Sequence, residues 1–83
     1  MSTKALKKAV DIDWKTVGRR IRELRGFDQK QSEFANQIGV AQSYISAIER
    51  GQKEPGAAVL FRIARLHGKT IEWLLTGSDP QIR

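Results

Sequence analysis

The 83-residue chain is short and basic, with 15 Lys and Arg against 9 Asp and Glu and a formal net charge of +6. Its length predicts one small domain with a modest core, which argues against a large enzyme cleft, and its charge favours a polyanionic partner such as nucleic acid. The absence of Cys excludes disulfides and thiolate metal sites. No stretch approaches the ~18 apolar residues of a membrane span or the ~7–15 of a signal peptide, so we expect a cytoplasmic protein without membrane contact.

Residues 1–10 carry three Lys and little apolar content, which predicts a basic flexible arm before a domain at residues 11–77 and a tail at residues 78–83. Apolar residues at spacings of three and four predict five short helices in that domain. In chain order they run from Trp14 to Arg25 with Asp13 as the cap, from Asp28 or Gln29 to Gly39, from Gln42 to Arg50, from Pro55 and Gly56 to just before Gly68, and from Thr70 to Gly77. No segment shows the two-residue alternation of a strand, so the chain is predicted to be all-α.

The second and third helices are separated only by "GVA", and so short a connection predicts that they cross steeply. Ala35 then lies where close crossing leaves no room for a larger side chain, and Gly39 supplies the turn. Ile45 and Ile48 attach the third helix to the first two. Residues 31–50 therefore have the spacing of a helix-turn-helix unit.

The chain resembles the lambda-repressor-like (XRE-type) helix-turn-helix family in the stretches "VGRRIRELR", "QSEFANQIGVAQSYISAIERG", "LFRIARLHG" and "TIEWLLTG". The resemblance covers about residues 13–77. It implies a compact five-helix DNA-binding domain whose helix-turn-helix is formed by helices 2 and 3, usually acting as a dimer on a partly palindromic operator. In two respects the chain departs from the family: the turn "GFDQK" is about one residue shorter than usual, and His67 and Lys69 occupy commonly apolar positions.

A helical wheel turns Gln42, Ser43 and Ser46 outward on the third helix, near the end that such proteins direct into the major groove. Amide and hydroxyl groups suit base edges, and the resemblance supports these three as base readers, with Tyr44 as a base or backbone contact. Alternatively, Gln42 and Ser43 cap the helix, and Tyr44 packs with its hydroxyl in water. Ala47 is more simply a surface residue than a reader of thymine methyls.

Contacts to the DNA backbone are expected around the reading helix. Gln31 lies in the first turn of helix 2, where free N–H groups and the helix dipole favour an anion, and the resemblance puts a backbone contact there. The residues Arg50, Gln52 and Lys53 flank the turn after the third helix, where the family commonly clamps the same strand. The alternative is a merely solvated charged surface.

Arg25 and Glu49 fall on facing sides of the first and third helices, and the family commonly has a structural ion pair here. The alternative is that both side chains are exposed and weakly coupled. We expect no metal, no cofactor and no enzyme activity, because no paired carboxylates, glycine-rich phosphate loop or Ser/His/Asp set is present.

The sequence therefore predicts a sequence-specific transcriptional regulator, a repressor that binds double-stranded DNA as a homodimer. Exposed apolar side chains near Ile71, Trp73 and Leu75 are candidates for the dimer contact. The alternative is a protein-interaction module of the same fold, such as an antitoxin or a coactivator-like partner. The uncharged outward face of the third helix favours DNA over a protein groove.

Overall fold

A computed structural model describes residues 11–78 and folds them into five α-helices without a strand in that range. The helices are α1 Trp14–Arg25, α2 Gln31–Ile38, α3 Gln42–Glu49, α4 Ala57–Leu66 and α5 Ile71–Thr76. The predicted all-α fold is confirmed. The predicted basic arm at residues 1–10 and the tail beyond Ser78 lie outside the described residues. None of the helices in residues 11–78 has the length and apolar character needed to cross a membrane.

The cap of α1 is the predicted one. Asp13 Oδ1 accepts hydrogen bonds from the N–H groups of Lys15 at 3.2 Å and Thr16 at 3.5 Å, and Oδ2 accepts one from the Thr16 hydroxyl at 2.7 Å. These bonds stabilise the ionised carboxyl, the Thr16 hydroxyl most of all, and so lower the pKa of Asp13. The helix starts at Trp14 because its free N–H groups are satisfied there.

The start of α2 was predicted wrongly. The helix begins at Gln31, with Lys30 as the extended cap residue, rather than at Asp28 or Gln29. Arg25 Nη1 donates a 2.7 Å hydrogen bond to the Gln29 carbonyl. The intrahelical bonds of α2 begin one residue later, where the Lys30 carbonyl accepts from the Phe34 N–H at 3.0 Å. Glu33 Oε1 accepts a 3.1 Å hydrogen bond from the Lys30 N–H, and this bond satisfies a free backbone donor at the amino end of α2.

The connection between α2 and α3 is as short as predicted. Gly39 has φ 89° and ψ 33°, a left-handed conformation that glycine adopts without a Cβ penalty. The N–H groups of Gly39 and Val40 both donate to the Ala35 carbonyl, at 2.7 and 3.0 Å. Ala35 itself is buried, as expected for a small residue where two helices meet.

The core lies between the helices: α3 packs on α1 and α2, while α5 packs on α1 and α4. Its buried apolar residues are Val17, Ile21, Phe34, Ala35, Ile38, Ile45, Ile48, Val59, Leu60, Ile63, Ala64 and Leu74. His67 follows α4, and its ring lies 5.8 Å from that of Phe34. Every helix thus contributes to one shared core.

Apolar exposure differs from the prediction. Ile71, Trp73 and Leu75, the candidates for an exposed dimer contact, are partly buried against the core. The large apolar side chains most exposed among the described residues are those of Phe27, Phe61 and Leu66. The short α5 packs on α1 and α4, and this contact draws its apolar side chains inward.

Gly18 determines how closely α3 approaches α1. A Cβ at this position would overlap the Ile48 carbonyl oxygen and would lie 2.7 Å from that of Glu49. Only a residue without a side chain allows the last turn of α3 to rest on α1 in this way. The contact fixes the position of α3 on α1.

Candidate nucleic-acid interface

The outward face of α3 is polar and accessible. Gln42 and Ser43 are exposed and Ser46 is half-buried, whereas Ile45 and Ile48 on the opposite side are almost completely buried. The cap of α3 is Ala41, and no side chain makes a capping hydrogen bond there. The alternative that Gln42 and Ser43 serve as caps is therefore wrong, and their polar groups remain on the outer surface.

Four side chains form a continuous chain of hydrogen bonds from α1 to this face. Arg25 binds Glu49 through two bonds, Nε to Oε2 at 2.7 Å and Nη2 to Oε1 at 3.0 Å. Gln31 Nε2 donates to Glu49 Oε1 at 2.9 Å, and Gln42 Nε2 donates to Gln31 Oε1 at 2.9 Å. The chain therefore joins the buried end of α3 to its exposed first residue through the first turn of α2.

The carboxylate at the centre of this chain dictates the orientation of both amides. An ionised Glu49 can only accept hydrogen bonds, so Gln31 must present its NH₂ group to it. Gln31 Oε1 then faces Gln42, which must present its own NH₂ group in turn. The carbonyl oxygen and the second amide N–H of Gln42 take no part in this series of hydrogen bonds. The Gln42 amide therefore still offers one acceptor and one donor side by side.

The Arg25–Glu49 pair is well shielded from solvent. The side chains are 13% and 3% exposed, respectively, and the two parallel bonds have the geometry of a bidentate pair. Hydrogen bonding to Glu49 raises the pKa of Arg25 further above its usual value. Because Arg25 also binds the Gln29 carbonyl, one guanidinium ties α1 both to the segment before α2 and to the end of α3.

A surface recess lies beside this chain. Its lining residues are Arg22, Arg25, Gln31, Ser46, Glu49 and Arg50. Three guanidinium groups against one carboxylate make the recess cationic, next to the polar face of α3. Arg22 was not among the residues predicted for this site, although its spacing of three residues from Arg25 on one helix indicates that the two share a side of α1.

Tyr44 connects α3 to the start of α4. Its hydroxyl accepts a 2.9 Å hydrogen bond from the N–H of Gly56, the cap residue of α4, and the Lys53 ammonium lies 5.8 Å from the centre of its ring. The ring is half-buried against the core. Tyr44 thus connects α3 to the loop that follows it.

The other residues predicted to contact the DNA backbone lie on the loop after α3. Arg50 Nη2 donates to Gln52 Oε1 at 3.2 Å, and Arg50, Gln52 and Lys53 are all exposed. The structure brings Gln31 and Gln42 into contact, and separately Arg50 and Gln52. Tyr44 and Lys53 form a third group.

A model of the helix-turn-helix family matches residues 19–74. The chain belongs to the helix-turn-helix family. The match includes α2 to α4, the turn between α2 and α3, and every residue assigned above to the candidate interface.

Two relatives of this helix-turn-helix chain are described as uncharacterized HTH-type transcriptional regulators. One, from Archaeoglobus fulgidus, is 33% identical over 64 residues, which cover 76% of this chain and 91% of the relative. The other, from Haemophilus influenzae, is 44% identical over 46 residues, which cover 55% of this chain. The matched segment spans only 19% of the Haemophilus protein's length.

The fold is that of the lambda-repressor-like helix-turn-helix domains. The P22 c2 repressor, solved in complex with the synthetic operator 9T, superposes with a TM-score of 0.69 and 28% identity. The superposition covers 75% of this chain and 96% of the repressor chain. The family and fold implied by the sequence motifs are therefore confirmed.

Proposed function

We propose that this helix-turn-helix protein is a sequence-specific DNA-binding transcriptional regulator, a repressor that binds a partly palindromic operator as a dimer. In this proposal α3 enters the major groove with its amino end toward the base edges. The observation that carries it is the chain of hydrogen bonds from the buried Arg25–Glu49 pair through Gln31 to Gln42. Membership of the helix-turn-helix family and similarity to the P22 c2 repressor, which was solved in complex with a synthetic operator, support it.

Gln42 is the principal base reader in this proposal. An adenine offers an acceptor and a donor side by side in the major groove, and Gln42 offers a matching donor and acceptor. A side chain held in position before binding has less conformational entropy to lose when it meets a base. The exposed Ser43, the half-buried Ser46 and Tyr44 on the flank complete the proposed reading face.

The proposed phosphate contacts border this face on two sides. Gln31 lies at the amino end of α2, where backbone N–H groups and the helix dipole attract an anion. Arg50, Gln52 and Lys53 lie after the carboxyl end of α3. Such contacts fix the orientation of the protein on the duplex without reading its sequence.

A dimer would place two reading helices on one side of the duplex. Half-sites in that arrangement are about 34–36 Å apart, one helical turn of DNA or a multiple of it. The operator should then consist of two inverted half-sites. The whole protein would act by occupying this site, which is the proposed repressor role.

The test is selection of bound sites from random double-stranded DNA by the purified chain. We expect an enriched inverted repeat with a preferred base at the position that Gln42 reads. Mass photometry or sedimentation on the selected site should give two protein chains per duplex. Binding of all sequences with equal affinity would contradict the proposed specificity, and one chain per enriched site would contradict the proposed dimer.

A further inference from the structure

The outer face of α4 carries an exposed apolar and cationic surface away from the candidate nucleic-acid interface. A recess between α2 and α4 is lined by Gln37, Ile38, Phe61, Arg62, Arg65 and Leu66. Phe61 is 51% exposed and Leu66 47% exposed, although both are large apolar side chains. Single exposed apolar residues are ordinary on a folded protein, but here two share one recess with two guanidinium groups.

The two arginines of this surface are held in defined positions. Arg62 Nη1 donates a 3.0 Å hydrogen bond to the Ile38 carbonyl at the end of α2. Arg65 lies over the ring of Phe61, with 5.6 Å between the guanidinium carbon and the ring centre. Positive charge is therefore fixed beside the apolar side chains, and none of the acidic residues within 11–78 lines the recess.

This surface is separate from the proposed reading face. The amino end of α4 lies beside α3, because the Gly56 N–H binds the Tyr44 hydroxyl. Arg65 is eight positions beyond Ala57, which is ~12 Å further along the helix axis. None of the six lining residues belongs to the proposed DNA contacts.

We propose that this α4 surface docks a segment of a partner protein that carries both acidic and large apolar side chains. Charge complementarity selects this occupant, since carboxylates can bind Arg62 and Arg65 while apolar groups cover Phe61 and Leu66. This interaction goes beyond DNA binding and does not depend on it. It would allow the regulator to contact another protein while bound to its operator.

Other occupants are disfavoured by the same charges. Two copies related by a two-fold axis through this face would bring arginine against arginine, because a symmetric interface pairs each patch with itself. The first ten residues of the chain carry Lys4, Lys7 and Lys8, which the two guanidinium groups would repel. An acidic partner removes this repulsion.

The test is selection of peptides from a random display library on the full chain, followed by measurement of their affinity by fluorescence anisotropy. We expect enriched peptides that combine Asp or Glu with Leu or Phe. The substitutions Phe61→Ser and Arg65→Glu should each weaken these peptides about tenfold or more. Arg19→Glu is the matched control, because Arg19 is an exposed arginine on α1 outside the recess, and it should leave their affinity unchanged.

Thermal unfolding, DNA affinity and the oligomeric state are measured for the same variants. The first checks that they are folded, and the other two distinguish a protein partner from DNA and from a second copy of the chain. Thermal unfolding should show that Phe61→Ser and Arg65→Glu remain folded, and both should keep the DNA affinity of the unchanged chain. Failure to enrich any peptide, enrichment without acidic residues, or equal binding by Phe61→Ser would each overturn the proposal. Lys53→Ala, which removes a proposed phosphate contact, is the reference for DNA binding. A loss of DNA affinity in Arg65→Glu as large as that in Lys53→Ala would identify the α4 surface as a DNA surface instead. Dissociation of a dimer by Phe61→Ser would identify a second copy of the chain as the occupant.

Discussion

Gln42 Nε2 donates a 2.9 Å hydrogen bond to Gln31 Oε1, so the first residue of α3 is positioned by the first residue of α2. The two residues were assigned different roles from the sequence, base reading for Gln42 and backbone contact for Gln31. Their direct contact means that the two proposed roles would be physically coupled. A change in either side chain should alter the position of the other.

The first prediction concerns this coupling. Gln42→Ala should cost about 1–3 kcal/mol of binding free energy at one operator position and relax its base preference. Gln31→Ala should reduce discrimination at that same position, because Gln42 loses its support. The double variant should show a coupling energy of about 0.5–3 kcal/mol, measured by titrating operators with single base changes.

Gln37→Ala is the control. Gln37 is an exposed glutamine on α2, like Gln31 a member of that helix, but its side chain binds Gln29 rather than Gln42. It should leave discrimination unchanged. An unaltered selected operator for Gln42→Ala would show that the base reader was misassigned. Strict additivity of the two substitutions would show that the hydrogen bond has no role in recognition.

The second prediction separates phosphate contacts from base contacts. Lys53→Ala should weaken binding to all DNA sequences alike and reduce the slope of log K against log salt by about one unit. Lys69→Ala is a matched control, since Lys69 also lies over an aromatic ring, that of Trp73 at 4.6 Å, but follows α4. A preferential loss at one base position would instead assign Lys53 to sequence readout.

Periodicity explains why much of the α3 face was predictable. Ile45 and Ile48 lie three residues apart, so the wheel that buried them also turned Gln42, Ser43 and Ser46 away from the core. Gly39 likewise predicted the turn that the structure contains after α2. These features depend on local spacing, which a sequence carries directly.

The parts that were missed depend on contacts between distant residues. α2 starts at Gln31, and Arg25 binds the Gln29 carbonyl that precedes it, a bond that no local pattern reports. The Gln31–Gln42 contact likewise requires the relative position of two helices. Gly18 did leave a signal, since a lone glycine inside a helix is unfavourable and often marks a close approach.

The third prediction concerns the buried ion pair. Glu49→Leu should lower the free energy of unfolding by about 3–5 kcal/mol, because it leaves the largely buried Arg25 without its partner. Adding Arg25→Met should recover part of this loss by removing the stranded charge. Urea unfolding measures both effects, and Glu23→Leu on the exposed side of α1 should change stability little.

A double variant less stable than Glu49→Leu alone would contradict this account. It would mean that Arg25 stabilises the fold chiefly through its bond to the Gln29 carbonyl rather than through the charge pair. The two roles of Arg25 are separable in this way because only one of them needs Glu49.

The fourth prediction concerns the approach of α1 to α3. Replacing glycine by alanine inside a helix ordinarily stabilises it by roughly 1 kcal/mol. Gly18→Ala should do the opposite and lower the free energy of unfolding by about 1–3 kcal/mol, because the new Cβ meets the Ile48 carbonyl oxygen. Asn36→Ala, on the exposed side of α2, is the control and should be neutral or slightly stabilising. A stabilised Gly18→Ala variant would contradict the close packing.

The fifth prediction concerns the only histidine. His67 Nε2 is buried without a hydrogen-bond partner among the described residues, and burial lowers the pKa of the ring from its ordinary value of 6.5. The folded state therefore binds a proton less readily than the unfolded state. Above pH 6.5 the contribution of His67 to the free energy of unfolding should be constant. As the pH drops from 6.5 toward the lower pKa of the folded state, the free energy of unfolding should fall.

Urea unfolding across this pH range tests the effect of His67 against His67→Leu, which keeps an apolar group beside Phe34 and cannot be protonated. Carboxyl groups titrate mainly below about pH 5, so they contribute little between pH 6.5 and the mildly acidic range. The difference in unfolding free energy between the two proteins should shift in favour of His67→Leu as the pH falls. Parallel pH profiles would mean that the ring accepts a proton in the folded state as easily as in the unfolded chain, which would contradict the lowered pKa.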